Sequence, residues 1–309
     1  MNLKRAIGGF LLSFIFLLVF VYLISGVQWI FENFAQGQNK EAFLGSVSGA
    51  VQDIVPENSV QPAVKPEISA ESAISVESNL SDADKILFEK ASDTKLPIAS
   101  LTKLMTAVIV LDNYNLSDNI TVDEIADSQD SMKQDVKSGD TMPAENFLEI
   151  MLVESSNKSA YALSEGPGST PGEEAFVGLM NQKAKEIGLE NTFFADPTGL
   201  SPQNVSTADD LVKLAEYILK NYPRIADISR VKEFYVPGFG EVSNTDQLLG
   251  EIPEIVCSKT GFTTQAKGCL LLVMNNPKDN GYLINVILGA DDRFSEMKQL
   301  IDWQNAFCN

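Results

Sequence analysis

The sequence predicts an α+β domain in which an antiparallel sheet packs against helices. Lys85–Ala91 (KILFEKA) alternates like a strand, and helical periods fill most of residues 98–220. Four short strand-like runs then follow, before a final amphipathic stretch. One strand, a block of helices, several closely spaced strands and a closing helix argue for segregated α and β elements around one core. Of the 309 residues, 44% are hydrophobic and 21% charged, which is enough apolar content to bury such a core.

Taken in order, the chain begins outside this fold. Lys4 and Arg5 precede a nearly unbroken apolar run from Ala6 to Ile24, extended by Val27, Trp29, Ile30 and Phe31. Nineteen helical residues span roughly 28 Å, close to the hydrocarbon thickness of a bilayer. Residues 1–31 are therefore expected to form a transmembrane signal anchor. The basic pair would stay in the cytoplasm and the rest of the chain would lie outside. A cleaved signal is the competing reading, with Ser25-Gly26 as the cut, although such signals have apolar cores of only about 7–15 residues.

Residues 32–81 are expected to be a flexible linker. From about residue 38, Ser, Val, Glu and Pro dominate, Phe43 is the only aromatic, and no period persists. Such a stretch cannot offset its own ordering entropy. As a coil of about 44 residues it spans roughly 35–40 Å, enough for a tethered domain to reach a nearby target such as a cell wall. The folded domain is then expected to occupy residues 82–309. Ile98–Leu111 is apolar on a helical period, and further helices are expected near 144–153, 156–165, 172–187 and 207–220. Strands are expected near 231–236, 255–261, 267–274 and 282–288, and a last helix over Arg293–Phe307. There is no internal repeat.

Composition narrows the chemistry. The chain has no histidine, which excludes Ser-His-Asp and Cys-His triads and the HExxH zinc enzymes. Three cysteines, Cys257, Cys269 and Cys308, cannot complete a four-thiolate zinc site or an ordinary iron–sulfur cluster. Neither a metal nor an organic cofactor is expected. A net charge of −19 argues against nucleic acid as a partner. Asp112–Asp118 lacks the glycine and distal glutamate of a calcium loop. Cys257 and Cys269 fall on neighbouring strands and are expected as buried free thiols, with a disulfide as the alternative.

A serine without histidine can be activated by an uncharged lysine, and S-x-x-K on a helix puts the two side chains one turn apart. The pattern occurs five times, at Ser92/Lys95, Ser100/Lys103, Ser155/Lys158, Ser229/Lys232 and Ser295/Lys298. Only Ser100/Lys103 opens a strongly apolar helix, with Leu101, Leu104, Met105, Ala107, Val108 and Leu111 around it. Holding a lysine uncharged at pH 7 costs about 4.6 kcal/mol against an ordinary value near 10.4, so burial and a second cation have to share that demand.

Lys259 is the candidate for that cation, in Ile255-Val256-Cys257-Ser258-Lys259-Thr260-Gly261-Phe262, a buried strand ending at a glycine. Gly261 would let a substrate backbone approach closely, and Thr260 would bond a carboxylate. Ser155-Ser156-Asn157 adds a hydroxyl and an amide at a loop-to-helix junction, where Ser155 alone would read as an N-cap. Glu173 and Glu174 suit the start of a helix, with a water-activating base as the sharper alternative.

S-x-x-K, then S-x-N, then K-T-G is the motif set of penicillin-binding proteins and class A β-lactamases. The chain resembles the low-molecular-mass D-alanyl-D-alanine carboxypeptidases, serine peptidases of family S11 that act in bacterial cell-wall synthesis. The likeness runs from about Asp82 to Trp303. It includes Pro97–Thr106, Leu152–Asn157, Asn191–Leu200, Ser206-Thr207-Ala208, and Asn244 with Leu248-Leu249.

The resemblance implies a five-stranded antiparallel sheet flanked by helices, with a helical subdomain, as in β-lactamases and transpeptidases. It implies that Ser100 attacks the bond between two terminal D-alanines and that Lys103 is the base. Ser155 and Asn157 would relay protons and hold the substrate amide, while Lys259 tunes the field. The backbone N–H groups of Ser100 and Phe262 would form the oxyanion hole, and Thr260 and Arg293 the carboxylate clamp. The implied partners are peptidoglycan stem peptides ending in D-Ala-D-Ala, β-lactam antibiotics as acylating inhibitors, and the membrane through the N-terminal helix. That helix would replace the C-terminal amphipathic anchor of many relatives, and the loop Gly166–Gly172 would shape the rim of the site. The alternatives are a β-lactamase or DD-endopeptidase of the same fold, or a non-catalytic penicillin-sensing or wall-binding domain.

Overall fold

The computed structural model describes residues 65–81, 83–129, 136–166 and 172–308. The expected anchor, most of the expected linker and residues 167–171 of the rim loop lie outside them. The chain opens with strands β1 (Ser72–Ser78), β2 (Lys85–Lys90) and the short β3 (Leu96–Pro97). A single 3₁₀ turn, Ala99–Leu101, leads into helix α1 (Thr102–Asn113). Next come β4 (Asn119–Thr121), α2 (Glu124–Asp127), β5 (Thr141–Pro143), α3 (Ala144–Val153), α4 (Asn157–Glu165) and α5 (Gly172–Ile187). After β6 (Val205–Ser206), α6 (Ala208–Asn221) and α7 (Pro223–Ser229), β7 (Glu233–Val236) and β8 (Gly240–Ser243) form a hairpin. Strands β9 (Ile255–Thr263), β10 (Lys267–Asn275) and β11 (Tyr282–Ala290) and helix α8 (Arg293–Cys308) close the chain.

The main sheet has five strands in the order β2-β1-β11-β10-β9, every pair antiparallel. Both faces are covered, which is why β10 and β11 read as nearly continuous apolar runs. Successive side chains still alternate between two cores. Ile74, Val76, Leu271 and Val273 face the helical side with α1, while Ala73, Leu270 and Leu272 face Met297, Leu300 and Ile301 of α8. Helix α1 is buried over Thr102–Val110, so it is enclosed on all sides rather than along one stripe, and its buried Lys103 and Thr106 find polar partners.

The sheet corrects one boundary. Strand β1 lies inside the stretch assigned above to the linker, yet it is interior to the sheet, paired with β2 and β11. The ordered chain reaches further back still: Ile68 and Ala70 are buried, and Glu296 of α8 accepts from Ser69 Oγ at 2.7 Å and Ala70 N at 2.8 Å.

At the far end of β1, Ser78 Oγ donates to Glu216 of α6. Burial, reinforced by the nearby Asp84 carboxyl and opposed by Ser78, pushes the Glu216 pKa up to about 7. A carboxyl raised on folding holds extra protons in the folded state between about pH 4.3 and 7, so it costs stability as pH rises through that window. Glu216→Gln is therefore expected to gain stability over wild type progressively from pH 4 to pH 8, as read from urea midpoints. A pH-independent difference would remove Glu216 from that role.

Candidate active site

The site forms where the 3₁₀ turn before α1 meets the exposed edge of β9. Ser100 sits within that turn, one step before the α-helix the sequence predicts it to open, and the turn is held on both sides. Ile98 N donates to Asn204 O at 3.1 Å, and Ala99 takes a left-handed φ of 47°. Lys103, in the first turn of α1, is completely buried. Its Nζ lies 2.9 Å from Ser100 Oγ, 2.6 Å from Asn157 Oδ1 and 2.6 Å from Thr198 O. Two of these partners are carbonyl oxygens, which only accept, whereas the third is a hydroxyl that can also donate. In its uncharged form the amine donates to the two carbonyls and turns its lone pair to the Ser100 proton; in its charged form it donates to all three oxygens.

The Ser155-Ser156-Asn157 junction supplies a second hydroxyl. The N-cap of α4 is Ser156, whose Oγ accepts from Ser159 N at 3.0 Å, so the capping role expected of Ser155 belongs to its neighbour. Ser155 instead adopts a φ of 64°, a conformation a non-glycine residue holds only when its surroundings enforce it. Its Oγ accepts from Lys259 Nζ at 2.8 Å. Burial, then the charges of Lys103 and Arg293, hold the Lys259 ammonium well below the ordinary lysine range, with Asp246 opposing. The rival Lys158 is occupied elsewhere, 2.7 Å from Asp127 Oδ1.

Gly261 has a different use from the one its sequence suggests. A Cβ there would lie 2.9 Å from Ile98 O and 3.0 Å from Ser100 N. The missing side chain makes room for the protein's own serine turn, and it brings the β9 edge against the Ser100 N–H. Phe262 follows it, 60% exposed. Thr260 is buried, and its hydroxyl lies 2.5 Å from that of Thr245. Arg293, at the start of α8, reaches Gly261 O at 3.5 Å, while its buried Nε has no partner among the described residues. Burial also lowers the Arg293 pKa. The arrangement therefore pairs two serine hydroxyls with two buried lysines, beside an open strand edge and a cationic corner suited to a carboxylate.

The family model for D-alanyl-D-alanine carboxypeptidases, peptidase S11, matches residues 58–292. The chain belongs to this family. A D-alanyl-D-alanine endopeptidase of Escherichia coli K12 is 34% identical over 85% of this chain and 86% of its own length. The D-alanyl-D-alanine carboxypeptidase DacF of Bacillus subtilis is 31% identical over 76% of this chain and 61% of its own length. Among solved structures, penicillin-binding protein D2 of Listeria monocytogenes in its cefotaxime-bound form superposes with a TM-score of 0.68 at 25% identity, covering 77% of this chain and 98% of that one.

In this S11 domain the three motifs converge, and Thr260, Gly261, Phe262 and Arg293 gather at one end of β9. The motifs do not identify what positions Lys103 from below. Asp196 accepts at 2.7 Å from the backbone N–H groups of Thr198, Gly199 and Ser201 and from Thr198 Oγ1, and at 2.8 Å from Asn204 Nδ2. Burial alone would raise its pKa, but these hydrogen bonds hold it below the usual carboxylate range. The cradled turn presents Thr198 O to Lys103 and Pro197 O to Thr106 Oγ1, the latter at 2.7 Å. The sequence carries Asp196-Pro197-Thr198-Gly199 within the stretch that resembles the family, but nothing local marks which of its carbonyls faces the lysine. Cys257 and Cys269 are free and buried, as expected.

Proposed function

We propose that the domain removes the terminal D-alanine from peptidoglycan stem peptides through an acyl-enzyme on Ser100. The observation that carries this reading is the buried Lys103 amine, 2.9 Å from Ser100 Oγ and 2.6 Å from the carbonyl oxygens of Asn157 and Thr198. Ser100 Oγ attacks the carbonyl carbon of the penultimate D-Ala as its proton passes to Lys103. The developing oxyanion is met by the backbone N–H groups of Ser100 and Phe262, where one such donor is worth roughly 3–4 kcal/mol. The C–N bond then breaks as Ser155, under the field of Lys259, hands its proton to the departing D-Ala amine and takes up the one Lys103 had received, while Asn157 holds the substrate amide. Water entering along the same path gives one proton to Lys103 as it attacks the ester, and Lys103 returns that proton to Ser100 Oγ as the ester C–O bond breaks, releasing the shortened peptide acid. Thr260 and Arg293 bind the terminal carboxylate, for which a guanidinium fork is suited.

The local cationic cluster outweighs the global charge of −19 for an anionic peptide end. β-Lactams, which carry an acyl group and a carboxylate, acylate the same serine. Residues 1–31 anchor the chain in the bacterial membrane and hold the domain outside the cytoplasm. A second reading, cleavage of D-alanyl cross-links, is favoured by the E. coli relative that bears the endopeptidase name.

Incubation of the purified domain with a fluorescent penicillin, followed by peptide mapping, is expected to place one persistent adduct on Ser100. No adduct, or an adduct elsewhere, overturns the acyl-enzyme. Rapid release with turnover of the drug would favour a β-lactamase. Matched assays on a pentapeptide and a cross-linked dimer separate the carboxypeptidase from the endopeptidase.

A further inference from the structure

We propose that Thr245 is a positioning residue for the carboxylate clamp, fixing the Thr260 hydroxyl as a donor toward the anionic end of the substrate. This rests on the carboxypeptidase reading and deepens it. Thr245 belongs to none of the three motifs. Its Oγ1 lies 2.5 Å from Thr260 Oγ1. Its N–H donates to Val153 O at 3.2 Å, two residues before Ser155. Thr245 thus bridges the Ser155 turn and the β9 edge.

The residues on either side hold it there. Asn244 Nδ2 donates to Ser229 O and Val231 O, both at 2.9 Å, and Asn244 N donates to Lys232 O at 2.8 Å. Asp246, buried, accepts from Leu248 N at 2.9 Å and from Ser258 Oγ. A side chain clamped on both flanks has a defined direction, so the contact with Thr260 is built into the loop.

The direction of that hydrogen bond decides what Thr260 offers a ligand. Each hydroxyl has one proton and two lone pairs. When Thr260 donates to Thr245, it turns a lone pair toward an incoming carboxylate and repels it. When Thr245 donates, the Thr260 proton is released for the carboxylate, and the relay from Thr245 through Thr260 to the anion is polarised in one sense, each bond strengthening the next. An anion selects the second arrangement. The unpaired Nε of Arg293, a donor at the same end of β9, belongs to the same clamp. Without the Thr245 proton, Thr260 loses this polarisation, and the clamp keeps its shape but binds the carboxylate less well.

The test uses a peptide ending in D-Ala-D-Ala as its free acid and as its C-terminal amide. Thr245→Val keeps the shape and removes the donor, whereas Thr245→Ser keeps the donor. Thr245→Val is expected to lower kcat/KM for the acid about tenfold, mostly through KM, the size of one charge-assisted hydrogen bond. The amide is expected to lose less than about twofold, and Thr245→Ser to restore the acid to within about threefold of wild type. On a Thr260→Val background, Thr245→Val is expected to add nothing further, because the relay is already broken. Should Thr245→Val not fold by circular dichroism, Thr245→Ala gives the same comparison without placing a methyl against the strand.

Equal losses on acid and amide, no loss on either, or no rescue by serine would each overturn the proposal. Arg293→Ala on the same substrate pair keeps the two readings apart. If it discriminates acid from amide while Thr245→Val does not, the clamp stands and the role of Thr245 falls. If neither variant discriminates, the clamp itself is wrong.

Discussion

Lys103→Met is expected to keep the native fold at some loss of stability and to be acylated by a penicillin at least about 100 times more slowly, the low end for loss of general acid–base catalysis. Methionine keeps the aliphatic stem in a position with no solvent exposure and deletes only the amine. Lys103→Ala is expected to slow acylation as much but to fold less well. Both variants remove the donor to Thr198 O, at about 1–3 kcal/mol for a buried group that loses its partner, and the alanine adds a void where the aliphatic stem had packed. The methionine variant therefore separates chemistry from packing. The rate constant for adduct formation, with a thermal melt alongside, reads both. Wild-type-like acylation of a folded Lys103→Met protein would take Lys103 out of the mechanism. No other buried amine contacts Ser100 among the described residues, since Lys259 is engaged with Ser155.

Local patterns made much of this site legible. Helices α3 and α5 fall on the expected residues, α5 because one face, Phe176, Met180 and Ala184, meets the core, and α3 because seven of its ten residues are apolar and buried. Among five S-x-x-K pairs, the apolar setting of Ser100/Lys103 isolates the one whose lysine is buried against its serine, and Lys158 shows why spacing alone fails. Strand β1 was not legible for the opposite reason. Its Ser-rich sequence resembles the linker before it, and its stability comes from partners more than 200 residues away, such as Leu288 opposite Ser72. Two of its serines meet polar side chains of helices, Ser75 at Gln304 of α8 and Ser78 at Glu216 of α6, so their polarity records tertiary contacts rather than exposure. Thr198 and Thr245 act through a carbonyl and a hydroxyl pair, whose directions exist only once the chain is folded.

Gly199→Ala is expected to damage stability and acylation together, although residue 199 carries no functional group. Its φ is 90°, and a Cβ there would lie 2.0 Å from Ala99 O, 2.4 Å from Ala99 C and 2.9 Å from Ser100 N. All three are backbone atoms of the turn that holds Ser100, and that turn is already left-handed at Ala99. Neither side can yield cheaply. The backbone strain costs about 1–3 kcal/mol and the overpacking about 1–3 kcal/mol, so a total near 3 kcal/mol is a conservative expectation. For a domain of this size that corresponds to a fall in Tm of roughly 6–12 °C. The chemistry should suffer more than the fold. Relief of the clash moves the 196–199 turn away from Ser100 and takes with it Thr198 O, one of the oxygens that orients the Lys103 amine. A displacement of about 1 Å in a positioning group can cost around 100-fold in rate. Gly178→Ala is the matched control: it lies within α5 with nothing inside 4 Å of its added Cβ, so alanine there should be neutral or mildly stabilising and leave acylation unchanged. If Gly199→Ala matches Gly178→Ala in both melt and acylation rate, the close approach of these two loops does not set the position of the serine.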